Sequence, residues 1–261
     1  MIDGINWENW FILIVGGFLV TGAANCFNEI IEVDLDKLMA RTKDRPMPAG
    51  RMTTGQGLVS GLLMGLIGTW LLGKLNLETG LLSVFSILLY AFAYTPLKRK
   101  SPIAVFVGAI PGALPPLIGY FAGLGHPEIG FDVVDYKIAG MLFLIQFVWQ
   151  FPHFWAIAWV LDDDYKKADF RLLPTKKRDR VSAVFTFVST LVLIPVSLLP
   201  TFLGYGGYII TGVSIVAGVA FSYFAYQLMV KMDLPSARKV MFCSFFYIPL
   251  VQLILLFDLI V

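Results

Sequence analysis

Apolar residues run along this chain in eight stretches, separated by short polar segments. A helix needs roughly 17–25 residues, at about 1.5 Å each, to cross the core of a bilayer. On that measure the stretches at 9–30, 55–76, 80–96, 103–124, 137–161, 181–203, 207–230 and 239–260 are membrane spans. Barrel strands would alternate apolar and polar residues in segments of about ten. The pattern therefore predicts an all-α, polytopic transmembrane helical bundle. The loops then alternate in charge. The segments 31–54, 97–102, 162–180 and 231–239 carry 5, 3, 7 and 3 Lys or Arg residues, eighteen of the twenty in the chain. Only Lys74 and Lys137 fall on the other side. Basic loops stay in the cytoplasm, which places these four loops inside and both termini outside, in the periplasm of a Gram-negative cell.

Composition agrees with the pattern. The chain is 57% hydrophobic and 15% aromatic, with a mean hydropathy of +0.76, well above the composition of soluble domains. Net charge is only +2, so where the charges sit matters more than their sum, and nothing points to a nucleic-acid partner. Cys26 and Cys243 lie in apolar segments and suggest neither a disulfide framework nor a zinc site. Asp3 and Glu8 stand where a cleavable signal peptide would carry Lys or Arg. A faint repeat is visible. The first span runs into Asp34, Asp36, Arg41, Arg45, Pro46 and Pro48, and the fifth into Asp162, Asp163, Asp164, Lys166, Lys167, Arg171 and Pro174. Spans three and seven both run into short turns of proline and basic residues, at 96–100 and 235–239. Two four-helix halves with a central cavity account for this, and such repeats usually place a site where they meet.

Four constellations carry candidate chemistry. Asn28, Glu32 and Asp36 are spaced i, i+4, i+8, and span only about 80° of a helix face. Three oxygen side chains in a row suit Mg²⁺, which takes a few carboxylates and completes its shell with water and substrate phosphates. A solvated helix end rich in acids accounts for the same residues without a metal. On span five, Gln146, Gln150, His153 and Asp164 fall near one line of an ideal helix, with Pro152 among them. A polar stripe there is costly and suggests function, although a core histidine bonded to a neighbouring helix, or a wet helix end at Asp162 and Asp163, is the simpler alternative. Tyr94-Thr95-Pro96-Leu97-Lys98-Arg99-Lys100 supplies cations on the face that holds both acidic motifs. Lys98 and Arg99 suit a diphosphate; Lys100 fits ordinary anchoring. Gly108 to Tyr120 contains Pro111, Pro115 and Pro116, which predicts a broken, glycine-lined span with room for a flat ligand. Close helix packing through small residues explains it equally well.

Two acidic motifs and a basic clamp at one membrane face point to a substrate with a diphosphate head and a greasy tail. Ionising that diphosphate leaves an allylic cation that aromatic and apolar walls can shelter. The chemistry is prenyl transfer to an electron-rich acceptor.

These residues resemble the intramembrane prenyltransferases of the UbiA superfamily over nearly the whole chain. Asn28-x3-Glu32-x3-Asp36 is similar to the superfamily's first Asp-rich motif, with Glu32 in place of the commoner Asp. The stretch Asp36-x-x-Met39-x-Arg41-Thr42-x-x-Arg45-Pro46-x-Pro48-x-Gly50 follows as it does in that family. Tyr94-Thr95-x-Leu97-Lys98-Arg99 resembles its diphosphate-binding segment, and Asp164-Tyr165 its second acidic motif. Pro111-Gly112-Ala113-Leu114-Pro115-Pro116-x-x-Gly119-Tyr120 and Trp149-Gln150-x-Pro152-His153-Phe154 resemble the branch that farnesylates heme.

The resemblance implies a UbiA-like bundle in which residues 1–261 form a single transmembrane prenyltransferase domain. It implies that farnesyl diphosphate is ionised with Mg²⁺, that its C1 joins a vinyl group of heme b, and that water completes the side chain of heme O, the product used by heme-copper terminal oxidases. Asn28, Glu32, Asp36 and Asp164 then hold Mg²⁺ as the catalytic set. Arg41, Arg45, Lys98 and Arg99 bind the diphosphate, and His153, Gln150 and Tyr94 contact heme. Membrane lipid, oxidase assembly proteins and heme A synthase are the partners it suggests, in the bacterial plasma membrane with the active site on the cytoplasmic side. Family members generally carry a further span and a Lys-Pro-Arg-like element ahead of the Asn-bearing helix, so the expectation is that the family's first helix is missing here. Three other readings remain open on the residues: a UbiA-type enzyme for a quinone precursor or chlorin, a cation transporter, and a non-catalytic heme-handling protein.

Overall fold

The computed structural model describes residues 6–125 and 130–258. His126, without a role in the sequence, and the last two residues of the eighth expected span lie outside them. Among the described residues eight helices are long and apolar enough to cross a membrane: α1 (Trp7–Asp36), α2 (Thr54–Gly73), α3 (Leu77–Leu97), α4 (Ala104–Leu124), α5 (Val133–Val160), α7 (Arg180–Phe202), α8 (Tyr208–Lys231) and α9 (Leu234–Asp258). A short α6 (Asp162–Lys167) follows α5. The chain forms two compact units, residues 1–99 with 110–143 and residues 100–109 with 144–261, so that α4 and α5 each contribute to both.

Ends of helices differ from the sequence reading where capping and burial override hydropathy. α1 runs past residue 30 to Asp36, because the stripe that buries Gly16, Val20, Ala23 and Ala24 continues unbroken through Asn28, Glu32 and Asp36. α3 starts early: the Asn76 side chain accepts from the Thr79 amide at 2.8 Å and donates to the Phe121 carbonyl at 2.7 Å. The basic stretch 235–239 is not a turn. Asp233 accepts from the Ser236 amide at 2.8 Å, and Pro235 sits in the first turn of α9, where a missing N–H costs nothing. The proline-rich fourth span is not broken either. α4 stays helical through Pro111, Pro115 and Pro116, and α5 through Pro152.

In the first unit α2 packs on α1 through small residues. Gly57, Gly61, Gly65 and Gly68 recur at three- and four-residue spacing and let the backbones approach. A Cβ at Gly68 would lie 2.9 Å from the Val20 amide nitrogen and 3.0 Å from the Gly16 carbonyl oxygen. In the second unit a row of buried hydroxyls does comparable work. Ser182, Thr186, Thr190 and Ser197 line the inner face of α7. Ser197 meets the Tyr247 hydroxyl at 2.9 Å, and Ser214 donates to the Ser197 carbonyl at 3.2 Å.

Gly68→Ala is expected to lower stability by about 1–3 kcal/mol, because backbone atoms of α1 cannot rotate out of the way. Unfolding of the purified protein in detergent measures it, and Gly17→Ala, with open space around its Cβ, is the control expected to stay near wild type.

Candidate active site

The polar end of α1 is buried, which rules out the solvated helix end. Asn28, Glu32 and Asp36 are 4%, 3% and 0% exposed. Glu32 Oε2 accepts from Lys98 Nζ at 2.6 Å and from Asn28 Nδ2 at 2.9 Å. Asp36 Oδ2 accepts from Arg45 Nη1 at 2.7 Å. The loop after α1 is folded back to deliver that arginine. The Thr42 hydroxyl donates to the Asp36 carbonyl at 3.0 Å, the Met47 amide donates to Glu29 at 2.8 Å, and Met39 and Met47 are buried beneath it. Lys98 is itself buried. Desolvation pushes its ammonium below the ordinary lysine range, and the charge of Glu32 pulls it back up.

Lys98 reaches α1 because α3 changes pitch. Residues Leu89–Tyr94 form a π-helical turn, a feature frequent at functional sites. Pro96 has no N–H for the helix ladder, and Thr95 instead sends its hydroxyl to the Tyr90 carbonyl at 2.9 Å. That hydroxyl also accepts from Asn28 Nδ2 at 3.0 Å. Asn28 thus spends its amide nitrogen on Glu32 and Thr95 and keeps its carbonyl oxygen for another partner. Tyr94 lies below Lys98, with the ammonium 5.2 Å from its ring centroid.

The first unit therefore brings together Asn28, Glu32, Asp36, Arg45, Lys98 and Tyr94. Arg41 and Arg99 are on its exposed surface. Among the described residues no group of three or more His, Cys, Asp or Glu converges as an all-protein metal cage. The fit to Mg²⁺ rests on something else. Glu32 and Asp36 each give one oxygen to a cation, while Glu32 Oε1 and Asp36 Oδ1 are buried without a hydrogen bond. Two adjacent carboxylates with an oxygen to spare, plus an amide carbonyl, are the few protein ligands that Mg²⁺ takes beside a phosphate.

The second unit holds the other expected residues. α5 ends at Val160, and Leu161 leaves the helical conformation. The line drawn from Gln146 through His153 does not extend to Asp164, because Asp164 belongs to a new helix. Asp162, Asp163 and Asp164 form the first turn of α6, with Lys166 and Lys167 in its last, so charge and macrodipole agree. Asp164 pairs with Lys167 at 2.9 Å. Asp162 is the buried member of the cluster and pairs with Lys166 at 2.6 Å. Gln146 accepts from Gln252 at 2.8 Å, Gln150 donates to the Ala109 carbonyl at 2.9 Å, and His153 Nδ1 lies 2.8 Å from Ser244 Oγ.

Three contributors were not singled out from the sequence. Thr95 lies inside a quoted motif but reads as filler until the π-turn aims it at Asn28. Arg178 donates to the Trp159 carbonyl at 2.7 Å and to Asp163 at 2.9 Å; the only signal was a basic residue beyond an acidic helix start. Ser244 lies 91 residues from His153, and no local pattern marks it.

With this geometry in view the class of protein is defined. The UbiA prenyltransferase family profile matches residues 3–248, and the chain belongs to that family. It is 43% identical over 256 residues, 97% of this chain and 87% of the relative, to the protoheme IX farnesyltransferase of Cytophaga hutchinsonii. It is 35% identical over 267 residues, 98% and 84%, to that of Koribacter versatilis. Among solved structures, a UbiA homologue from Archaeoglobus fulgidus bound to GPP and Mg²⁺ shares the fold with a TM-score of 0.67 at 13% identity, covering 95% of this chain and 88% of that one. The chain is thus an integral, multi-pass membrane prenyltransferase.

Lys98→Met is expected to destabilise the ligand-free protein by about 3 kcal/mol or more, since it strands a buried carboxylate. Glu32→Gln in the same chain should recover most of that loss. Thermal unfolding of the single and double variants in detergent checks it; a double variant no more stable than Lys98→Met overturns the pairing.

Proposed function

We propose that this protein transfers the farnesyl group of farnesyl diphosphate to a vinyl group of heme b, giving heme O. The observation that carries the reading is the buried cluster at the end of α1, in a chain 43% identical along almost its whole length to a protoheme IX farnesyltransferase. Asn28, Glu32 and Asp36 hold Mg²⁺ in the first unit, and Asp164 does so in the second. The bound metal supplies charge neutralisation for the departing diphosphate.

The chain's own residues do the rest. Lys98 and Arg45 sit on Glu32 and Asp36 when no substrate is present, which pairs the buried carboxylates and keeps the loop folded. They pass to the phosphate oxygens when the diphosphate enters, with Arg41 and Arg99 adding contacts from the surface. The bond from farnesyl C1 to oxygen breaks and diphosphate leaves. C1 bonds to the terminal carbon of the vinyl group, water adds at the carbon beside the porphyrin ring, and one proton is released. Tyr94 shields the cation at its end of the first unit. His153 contacts the heme. Gln150 and Tyr94, also expected there, are engaged with the Ala109 carbonyl and beneath Lys98, so the heme contact rests on His153. The basic loops and the diphosphate end face the cytoplasm of a bacterial plasma membrane. Residues 1–261 act as one domain, and the product passes to heme A synthase or to terminal oxidase assembly.

Purified protein in lipid nanodiscs, given farnesyl diphosphate, Mg²⁺ and heme b, is expected to form heme O, read by chromatography and mass. Prenylation of 4-hydroxybenzoate in place of heme would overturn the acceptor. Asp36→Asn and Asp164→Asn are each expected to lower kcat by about 100-fold or more, and an unchanged kcat removes that carboxylate from the metal set. Arg99→Ala is expected to raise KM for farnesyl diphosphate several-fold with little change in kcat; equal KM values would take it out of the clamp.

A further inference from the structure

His153 lies one helical turn after Trp149 on α5, and both side chains reach the same residue of α9. The Ser244 hydroxyl donates to the Met241 carbonyl one turn back. A hydroxyl has a single hydrogen, so toward His153 Nδ1, 2.8 Å away, it accepts. Nδ1 therefore carries the ring proton, and the neutral imidazole keeps its lone pair on Nε2. The Ser244 carbonyl meanwhile accepts from Trp149 Nε1 at 3.0 Å. The indole lies stacked on the imidazole, with centroids 4.4 Å apart and planes 19° apart. Phe245 closes an edge at 5.3 Å. One serine thus fixes the tautomer of the histidine with its hydroxyl and the plane of the ring through Trp149 with its carbonyl. Among the described residues Nε2 makes no hydrogen bond.

A protonated Nδ1 bonded to a protein oxygen, with Nε2 left bare, is the form in which histidine ligates a metal. A propionate would need a donor, and Nε2 of this tautomer is not one. We propose that Ser244 is a positioning residue that presents His153 Nε2 as an axial ligand to the iron of the heme acceptor. The lone pair of Nε2 fills the coordinate bond, and no proton leaves. Ligation from a ring locked in plane and tautomer fixes the porphyrin relative to α5, and so fixes where its vinyl groups lie. The inference rests on the heme reading of the acceptor.

The full chain in nanodiscs is titrated with ferric heme b and followed by its Soret band and electron paramagnetic resonance. The wild type is expected to show a nitrogen-ligated spectrum. His153→Gly loses it, and added imidazole restores it. Ser244→Ala is expected to bind heme about tenfold more weakly, with ligation that falls off at a different pH than in the wild type, and Ser244→Thr to recover both. Farnesyl diphosphate binding, which these residues do not touch, reports whether each variant is folded. The wild type alone gives an independent reading: heme should bind about tenfold more tightly than metal-free protoporphyrin IX. Equal affinity for the two porphyrins overturns the iron contact, as does a nitrogen-ligated spectrum that survives His153→Gly. Ser244→Ala identical to wild type in affinity and pH profile overturns the role of the serine. Heme bound through another ligand leaves the acceptor standing, whereas no heme binding at all overturns the acceptor with this inference.

Discussion

Two carboxylates at the end of α1 are almost wholly out of water, and each is held by a cation from another part of the chain. Removing such charges from water costs several kcal/mol apiece unless geometry and hydrogen bonds compensate. Glu32 meets that cost with Lys98 and Asn28, and Asp36 with Arg45. The consequences spread outward. Lys98 must arrive from α3 at the right depth, which the π-turn at Leu89–Tyr94 achieves. Arg45 must come back toward α1, so the loop between α1 and α2 is folded over Met39 and Met47 and bonded to Glu29 and the Asp36 carbonyl.

A charge pair of this kind is strained only in composition. Each carboxylate is paired through one oxygen and keeps the other buried without a hydrogen bond, as Glu32 Oε1 and Asp36 Oδ1 are. On the proposed function, a metal and a diphosphate entering the site would offer each member a new partner: carboxylate oxygens to the metal, cations to the phosphate. Under that proposal the ligand-free protein holds these groups as oppositely charged pairs, and substrate binding is an exchange of partners.

Apolar packing has a different task. Lipid tails are as apolar as leucine, so hydrophobicity does not choose helix partners inside a membrane. In the first unit the choice falls to the α2 glycines, which let backbones touch. In the second it falls to the hydroxyl row of α7, with Ser214 and Tyr247 against it. Ser244 belongs to the same class of packing hydroxyl, and its contact with His153 is the one on which the proposed orientation of that ring rests.

The eight spans were legible because a bilayer demands long apolar stretches, and a loop's Lys and Arg content is a local property. The shared face of Asn28, Glu32 and Asp36, the proposed metal site, was legible for a similar reason: helical spacing alone puts i, i+4 and i+8 on one side. Properties that depend on what a helix meets were not. Whether Asn28 to Asp36 form a wet end or a buried cluster depended on Lys98, 66 residues away from Glu32. The helix that holds Pro111, Pro115 and Pro116 stays continuous, and the one before Leu161 ends there, neither of which residue type announces. Asp164 left the line of Gln146 and His153 because the helix restarted. The sequence by itself determined the membrane fold, the family and the candidate residues for a metal and a diphosphate, since these follow from local composition and period. Only the tertiary structure decided which oxygens are paired, which are spare and which hydroxyl meets His153, since a hydrogen bond is settled by the partner that distant chain brings within 3 Å.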